Sequence, residues 1–115
     1  MVPLGSNGSE ESQRVEGLEA VGAEKNTKPV TVMDPKTGKK VTVVPDGKKA
    51  DGQLVEVKDT KSQSLTKQIR AENEASKAAS DKPVNVVVGE STKVSKPLQN
   101  ASEVTKIKPL GPQQQ

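Results

Sequence analysis

No phenylalanine, tyrosine or tryptophan occurs among the 115 residues, so any core must be assembled almost entirely from aliphatic side chains. Leu, Ile and Val together number 24 of the 115 residues, about 21%, close to the level at which chains stay unfolded. The sequence therefore offers one small domain at most, with no room for a separate regulatory module. Cysteine and histidine are also absent, which excludes disulfides, thiolate metal sites and the usual imidazole base or zinc ligand. Any catalysis is left to carboxylates, Lys, Ser and Thr. There is no apolar run of membrane-spanning length, and Met1 to Ser6 lacks the basic start and apolar centre of a secretory signal, so a soluble segment without such an address is expected.

Charge is unevenly distributed. The first 24 residues hold Arg14 against five glutamates, so a net charge of +3 for the whole chain leaves the remainder distinctly basic. A basic body is compatible with a polyanionic partner. Lys36, Lys39, Lys40, Lys48 and Lys49 flank the turns of this region, either to meet phosphates or to keep the chain soluble.

Local patterns give the element order. Ser9 opens a short helix with Val15, Leu18 and Gly22 at helical spacing. Residues 30–46 alternate β-branched and other side chains on both sides of Asp34-Pro35-Lys36-Thr37-Gly38, a hairpin signal. Leu54-Val55-Glu56-Val57-Lys58 reads as a third strand, with Val55 and Val57 on one face and Leu54, Glu56 and Lys58 on the other. Residues 62–79 lack Gly, Pro and Val, and place Leu65 and Ile69 one helical turn apart. Residues 84–88, apolar on both faces, read as a strand between two layers. A short helix near Pro97 and an edge strand over residues 104–108 complete the chain. The expected fold is α/β, a minimal α-β-β-β-α-β sandwich with a mixed sheet over residues 9–109, between unstructured ends at 1–8 and 110–115.

Within that order, Asp46 follows Pro45, and Glu56 and Lys58 follow at the spacing PD-x9-E-x-K. Two adjacent antiparallel strands can bring such an aspartate onto the face of an E-x-K strand. Mg²⁺ or Mn²⁺ suits a site made of Asp46, Glu56 and the main-chain carbonyl of Val57, because hard cations take oxygen ligands and keep several waters. Lys58 would then orient or deprotonate the attacking water in phosphodiester hydrolysis. Pro-Asp-Gly is also a plain turn sequence, and E-x-K also suits a solvated strand face.

Longer stretches carry a resemblance. Ala20-Val21-Gly22-Ala23-Glu24-Lys25-Asn26-Thr27, Val44-Pro45-Asp46, Leu54-Val55-Glu56-Val57-Lys58-Asp59, Gln63-Ser64-Leu65-Thr66-Lys67-Gln68-Ile69-Arg70 and Thr92-Lys93-Val94-Ser95-Lys96-Pro97-Leu98-Gln99 occur in this order. They are similar to segments of the restriction-endonuclease-like toxin domains at the C termini of bacterial Rhs-type and related polymorphic toxins. The resemblance implies a PD-(D/E)xK nuclease fold, metal-dependent hydrolysis of DNA, secretion or contact delivery into the cytoplasm of a rival cell, and a cognate immunity protein. Carried over by position, Asp46 and Glu56 hold the metal, Lys58 is the catalytic lysine, and Gln68 faces the site from the following helix. Glu11 is the candidate for a further acid on the first helix, and Thr66, Lys67, Arg70, Ser95 and Lys96 are candidates for phosphate contacts. The sequence departs from the family at residues 71–76, where relatives carry aromatic residues and this chain has small and polar ones. A non-catalytic, partly disordered structural or interaction protein is the competing reading, and RNA is open as a substrate.

Overall fold

The structure, a computed structural model, describes residues 9–108, with side chains described from Gln13 onward. The unstructured ends expected at 1–8 and 110–115 lie outside the described residues. A five-stranded mixed sheet of order β1-β4-β5-β7-β9 forms the centre, built from β1 (Glu24–Lys25), β4 (Gly47–Lys48), β5 (Leu54–Lys58), β7 (Asn85–Gly89) and β9 (Glu103–Ile107). β1, β4 and β5 run antiparallel, whereas β5, β7 and β9 are parallel. This is the α/β class with a mixed sheet that the element order predicts.

Parallel neighbours need crossover connections. Helix α2 (Lys67–Ser80) links β5 to β7, and α3 (Lys96–Ala101) links β7 to β9. Both begin at side-chain caps: the Thr66 hydroxyl accepts from Ile69 N at 3.2 Å, and the Ser95 hydroxyl accepts from Leu98 N at 3.3 Å. At its far end α2 stops on Asp81 in the left-handed region, φ 65°, whose N–H returns to the Lys77 carbonyl. The helix starts later than its composition predicts. Ser62 and Gln63 instead form β6 (Ser62–Gln63), paired with β8 (Lys93–Val94), and the Thr66 cap sets the boundary.

A second difference concerns the hairpin of β2 (Val30–Met33) and β3 (Lys40–Val43). It forms its own two-stranded sheet instead of extending the central one. Pro45, buried and without an N–H to give to a ladder, separates it from β4. The hairpin turns Val30 and Val32 into the cluster around α2, and Thr31 and Thr42 share a hydroxyl hydrogen bond on the exposed side. Asp34, fully buried at its turn, accepts from the Arg70 guanidinium at 3.3 and 3.1 Å, which ties the hairpin to α2.

Helix α1 (Ser9–Ala20) covers the other face of the sheet, where Leu18 meets Val55 and Val87. Val15 is 41% exposed and does not join this core, contrary to its helical spacing. Gly17 sits so close to Val57 that a Cβ would meet its methyl groups at 2.8 Å, which lets α1 lie directly on β5. The opposite cluster joins Leu54, Ile69, Ala75, Val84, Val86, Val88 and Leu98. Polar groups of α2 also tie the helix to its neighbours. Asn73 Oδ1 accepts from Val84 N and the Ser102 hydroxyl, and the Ser76 hydroxyl accepts from Leu54 N, all in the interior. The described residues thus pack closely despite low apolar content. No helix among them is long and apolar enough to cross a membrane.

Ile69, fully buried between α2 and the sheet, has few large neighbours to replace it. Ile69→Ala is expected to remove about 2–5 kcal/mol, a large part of the roughly 5–15 kcal/mol of a typical domain. Urea unfolding followed by far-UV circular dichroism, since no aromatic fluorophore exists, measures this; an unmoved midpoint would show that α2 is not docked through Ile69.

Candidate functional site

Register brings the first carboxylates together. Gly47 pairs with Val55 and Lys48 with Leu54, so one step further out Asp46 stands opposite Glu56. Because alternate residues share a face, Glu56 and Lys58 point to the same side of β5 as Leu54, toward α2. Asp46 is held at both oxygens: Oδ2 accepts from Val57 N at 2.9 Å, and Oδ1 lies 3.0 Å from Arg14 Nε. A cleft of about 300 Å³ opens here, lined by residues that include Gln13, Arg14, Asp46, Glu56, Val57 and Lys58.

On the α2 side, Gln68 organises the charged groups. Its Oε1 accepts from Lys58 Nζ at 3.2 Å, and its Nε2 donates toward Glu56 Oε2 at 3.4 Å and Glu72 Oε2 at 3.3 Å. Lys58 Nζ lies 3.5 Å from Glu56 Oε2. The amide orientation follows from charge, with its oxygen toward the ammonium and its NH₂ between two carboxyl groups.

Glu56 is 4% exposed and Glu72 is fully buried, so both carboxyls resist ionisation. Burial raises Glu56 first, with the negative Asp46 adding to it, while its hydrogen bond with Glu72 and the charge of Lys58 oppose the rise. Glu72 is pushed up to about 10, by burial first and then by its hydrogen bond to Glu56. Among the described residues, Glu56 Oε1 and Glu72 Oε1 have no hydrogen-bond partner. A proton held between the two carboxyls would relieve their crowding, as would a cation on Glu56.

These orphaned oxygens fit a hard cation. Among the described residues no group of three or more Asp, Glu, His or Cys is arranged to hold a metal. Mg²⁺ requires fewer, since it is commonly bound through one or two carboxylates with waters and substrate phosphate completing the shell. Asp46, Glu56 and the peptide of Val57 are the residues that could hold one.

The remaining sequence candidates scatter. The Glu11 side chain lies outside the described side chains. Arg70 is engaged with Asp34, whose carboxyl it holds below the usual range, and Thr66 and Ser95 cap helices. Lys67 and Lys96 stand exposed at the first residues of α2 and α3. Sequence reasoning missed two participants, Arg14 and Glu72. Glu72 is one helical turn beyond Gln68 and so on its face; Arg14 is distinguished only as the basic residue of an acidic segment.

The family model described as restriction endonuclease fold toxin 7 matches residues 8–98. No curated protein and no solved structure matches the chain.

Proposed function

Since the chain belongs to the restriction endonuclease fold toxin 7 family, we propose that it is a metal-dependent deoxyribonuclease that uses Asp46, Glu56 and Lys58 in a PD-(D/E)xK arrangement. The observation that carries this reading is the cross-strand meeting of Asp46 with the face holding Glu56 and Lys58, beside a cleft and with a Glu56 oxygen left unsatisfied.

Asp46, Glu56 and the Val57 carbonyl would hold Mg²⁺ or Mn²⁺, which when bound supplies Lewis-acid polarisation of a phosphoryl oxygen and acidifies water. The protein's own groups do the rest. Val57 N–H and Arg14 fix the Asp46 carboxylate in place. Lys58 Nζ, steered by Gln68 Oε1, points an ammonium into the cleft, where it orients the nucleophilic water and offsets charge gathering on the phosphoryl oxygens. Glu72 keeps the Gln68 amide in the orientation that faces Lys58. Ionisation of the Glu56 pair is unfavourable without a cation, so metal loading and proton release are coupled.

As a toxin, such a domain acts after delivery into the cytoplasm of another cell, and the producing cell needs an immunity protein to block the cleft. The test is nicking of supercoiled plasmid. Purified protein with Mg²⁺ or Mn²⁺ is expected to convert the plasmid to open circles, EDTA to stop this, and Glu56→Gln or Asp46→Asn to lower the rate at least 100-fold, in line with the loss of a group that stabilises charge in the transition state. Undiminished nicking in EDTA or in Glu56→Gln would falsify the assignment.

A further inference from the structure

Beside the carboxylate cleft lies a second concavity, about 490 Å³, whose walls include Lys25, Lys28, Lys48 and Lys49 and, as the one acid among the described residues, Glu24. It is structurally joined to the first. Asn26 N–H donates to the Asp46 carbonyl at 2.9 Å, while Asn26 Nδ2 donates to the carbonyls of Pro45 and Lys28, both at 2.9 Å. The segment from Lys25 in β1 to Lys28 is thereby clamped to the backbone of Pro45 and Asp46. Lys48, in β4, is two positions from Asp46, so their backbones lie roughly 7 Å apart at most.

A phosphodiester chain brought to Asp46 and Glu56 meets two carboxyl groups, and its flanking phosphates need cations within a nucleotide or two. The lysine concavity offers them at that distance. Lys28 and Lys48 are exposed and Lys49 half-buried. Glu24 stands across the ladder from Lys48 and offsets one charge, leaving an excess of positive charge in the concavity. Lysine heads act as compact point charges that grip phosphate without reading bases.

Building on the nuclease reading, we infer that this concavity is the track for the phosphate backbone on one side of the scissile bond. The occupant is a nucleic-acid strand, selected by its charge spacing.

The experiment measures binding of a fluorescein-labelled duplex of about 20 base pairs to the full chain by anisotropy, in EDTA so that nothing is cut, across 50–200 mM NaCl. The triple variant Lys28→Gln, Lys48→Gln, Lys49→Gln is compared with Lys77→Gln, Lys106→Gln, Lys108→Gln, which neutralises as many charges on α2, on β9 at the far sheet edge and just beyond it. Neutralising the track is expected to weaken binding about tenfold or more and to flatten the slope of log affinity against log salt by about 2.7, while the control keeps the wild-type slope. Circular dichroism confirms that both variants fold.

An unchanged slope in the track variant, or an equal loss in both variants, overturns the inference even while wild-type protein nicks plasmid in Mg²⁺. Equal affinity of the wild type for polyglutamate also overturns it, because the concavity would then suit an acidic protein surface. Wild-type protein that neither binds duplex nor nicks plasmid overturns the inference together with the nuclease reading beneath it.

Discussion

Lys58→Ala is expected to lower the rate of plasmid nicking by about 10²–10⁴-fold while leaving duplex affinity in EDTA nearly intact. The reason is position. Lys58 Nζ is drawn toward Gln68 Oε1 at 3.2 Å and Glu56 Oε2 at 3.5 Å, so it presents one positive charge beside the carboxylates and not in the lysine concavity. On the proposed nuclease mechanism its removal takes away a group that acts when charge builds on the phosphoryl oxygens, which affects the chemical step more than ground-state binding. Lys58→Arg is not a rescue, because a planar guanidinium cannot take the place of a single ammonium between an amide oxygen and a carboxylate oxygen. Single-turnover nicking with enzyme in excess separates the two effects. A Lys58→Ala protein that cuts at the wild-type rate would remove the lysine from the chemistry, and an equal loss in binding and cutting would reduce it to a phosphate contact.

The parts of this site that were legible in the sequence are those encoded by local spacing. Glu56 and Lys58 share a face because strands alternate, and the β-branched run at 54–58 announces the strand. Asp46 was legible through its distance from Glu56, but the route was not. The aspartate meets Glu56 through β4, a two-residue strand too short to leave a pattern, and not as an extension of the hairpin before Pro45. Arg14 and Glu72 were hidden for a different reason. Their roles depend on which helix faces lie against β5, and α1 has too weak an apolar stripe to announce its buried side. In α2, residues 71–76 look like a weakened core because aromatic bulk is missing. In the fold Glu72, Asn73 and Ser76 are interior, bonded to Gln68, Val84 N and Leu54 N. Composition registers what a side chain is, whereas its worth here lies in the backbone group it meets.

Glu72 gives the second large effect, on stability. With its folded value raised to about 10 and an ordinary value of 4.5, the native protein keeps a proton that the unfolded chain releases between those two limits. The unfolded state then binds fewer protons, so stability falls as pH rises. The contribution is fully present below about 4.5 and is lost progressively toward 10, by up to about 1.4 kcal/mol per pH unit. Glu56, also raised, acts in the same direction. In EDTA, urea unfolding followed by circular dichroism should show a midpoint that drops steadily from pH 5 to pH 8. Glu72→Gln keeps the shape and the oxygen that Gln68 Nε2 needs, and carries its own NH₂ toward Glu56, so it imitates the protonated acid. It is expected to match the wild type near pH 5 and to exceed it by more than about 1 kcal/mol at pH 8, by a margin that widens as pH rises. Parallel pH profiles for the two proteins would mean that the Glu72 proton is not retained by folding. If Asp46 and Glu56 hold the cation as proposed, Mg²⁺ added at pH 8 should restore part of the wild-type loss, because its charge would relieve the same crowding of carboxylates that the proton relieves.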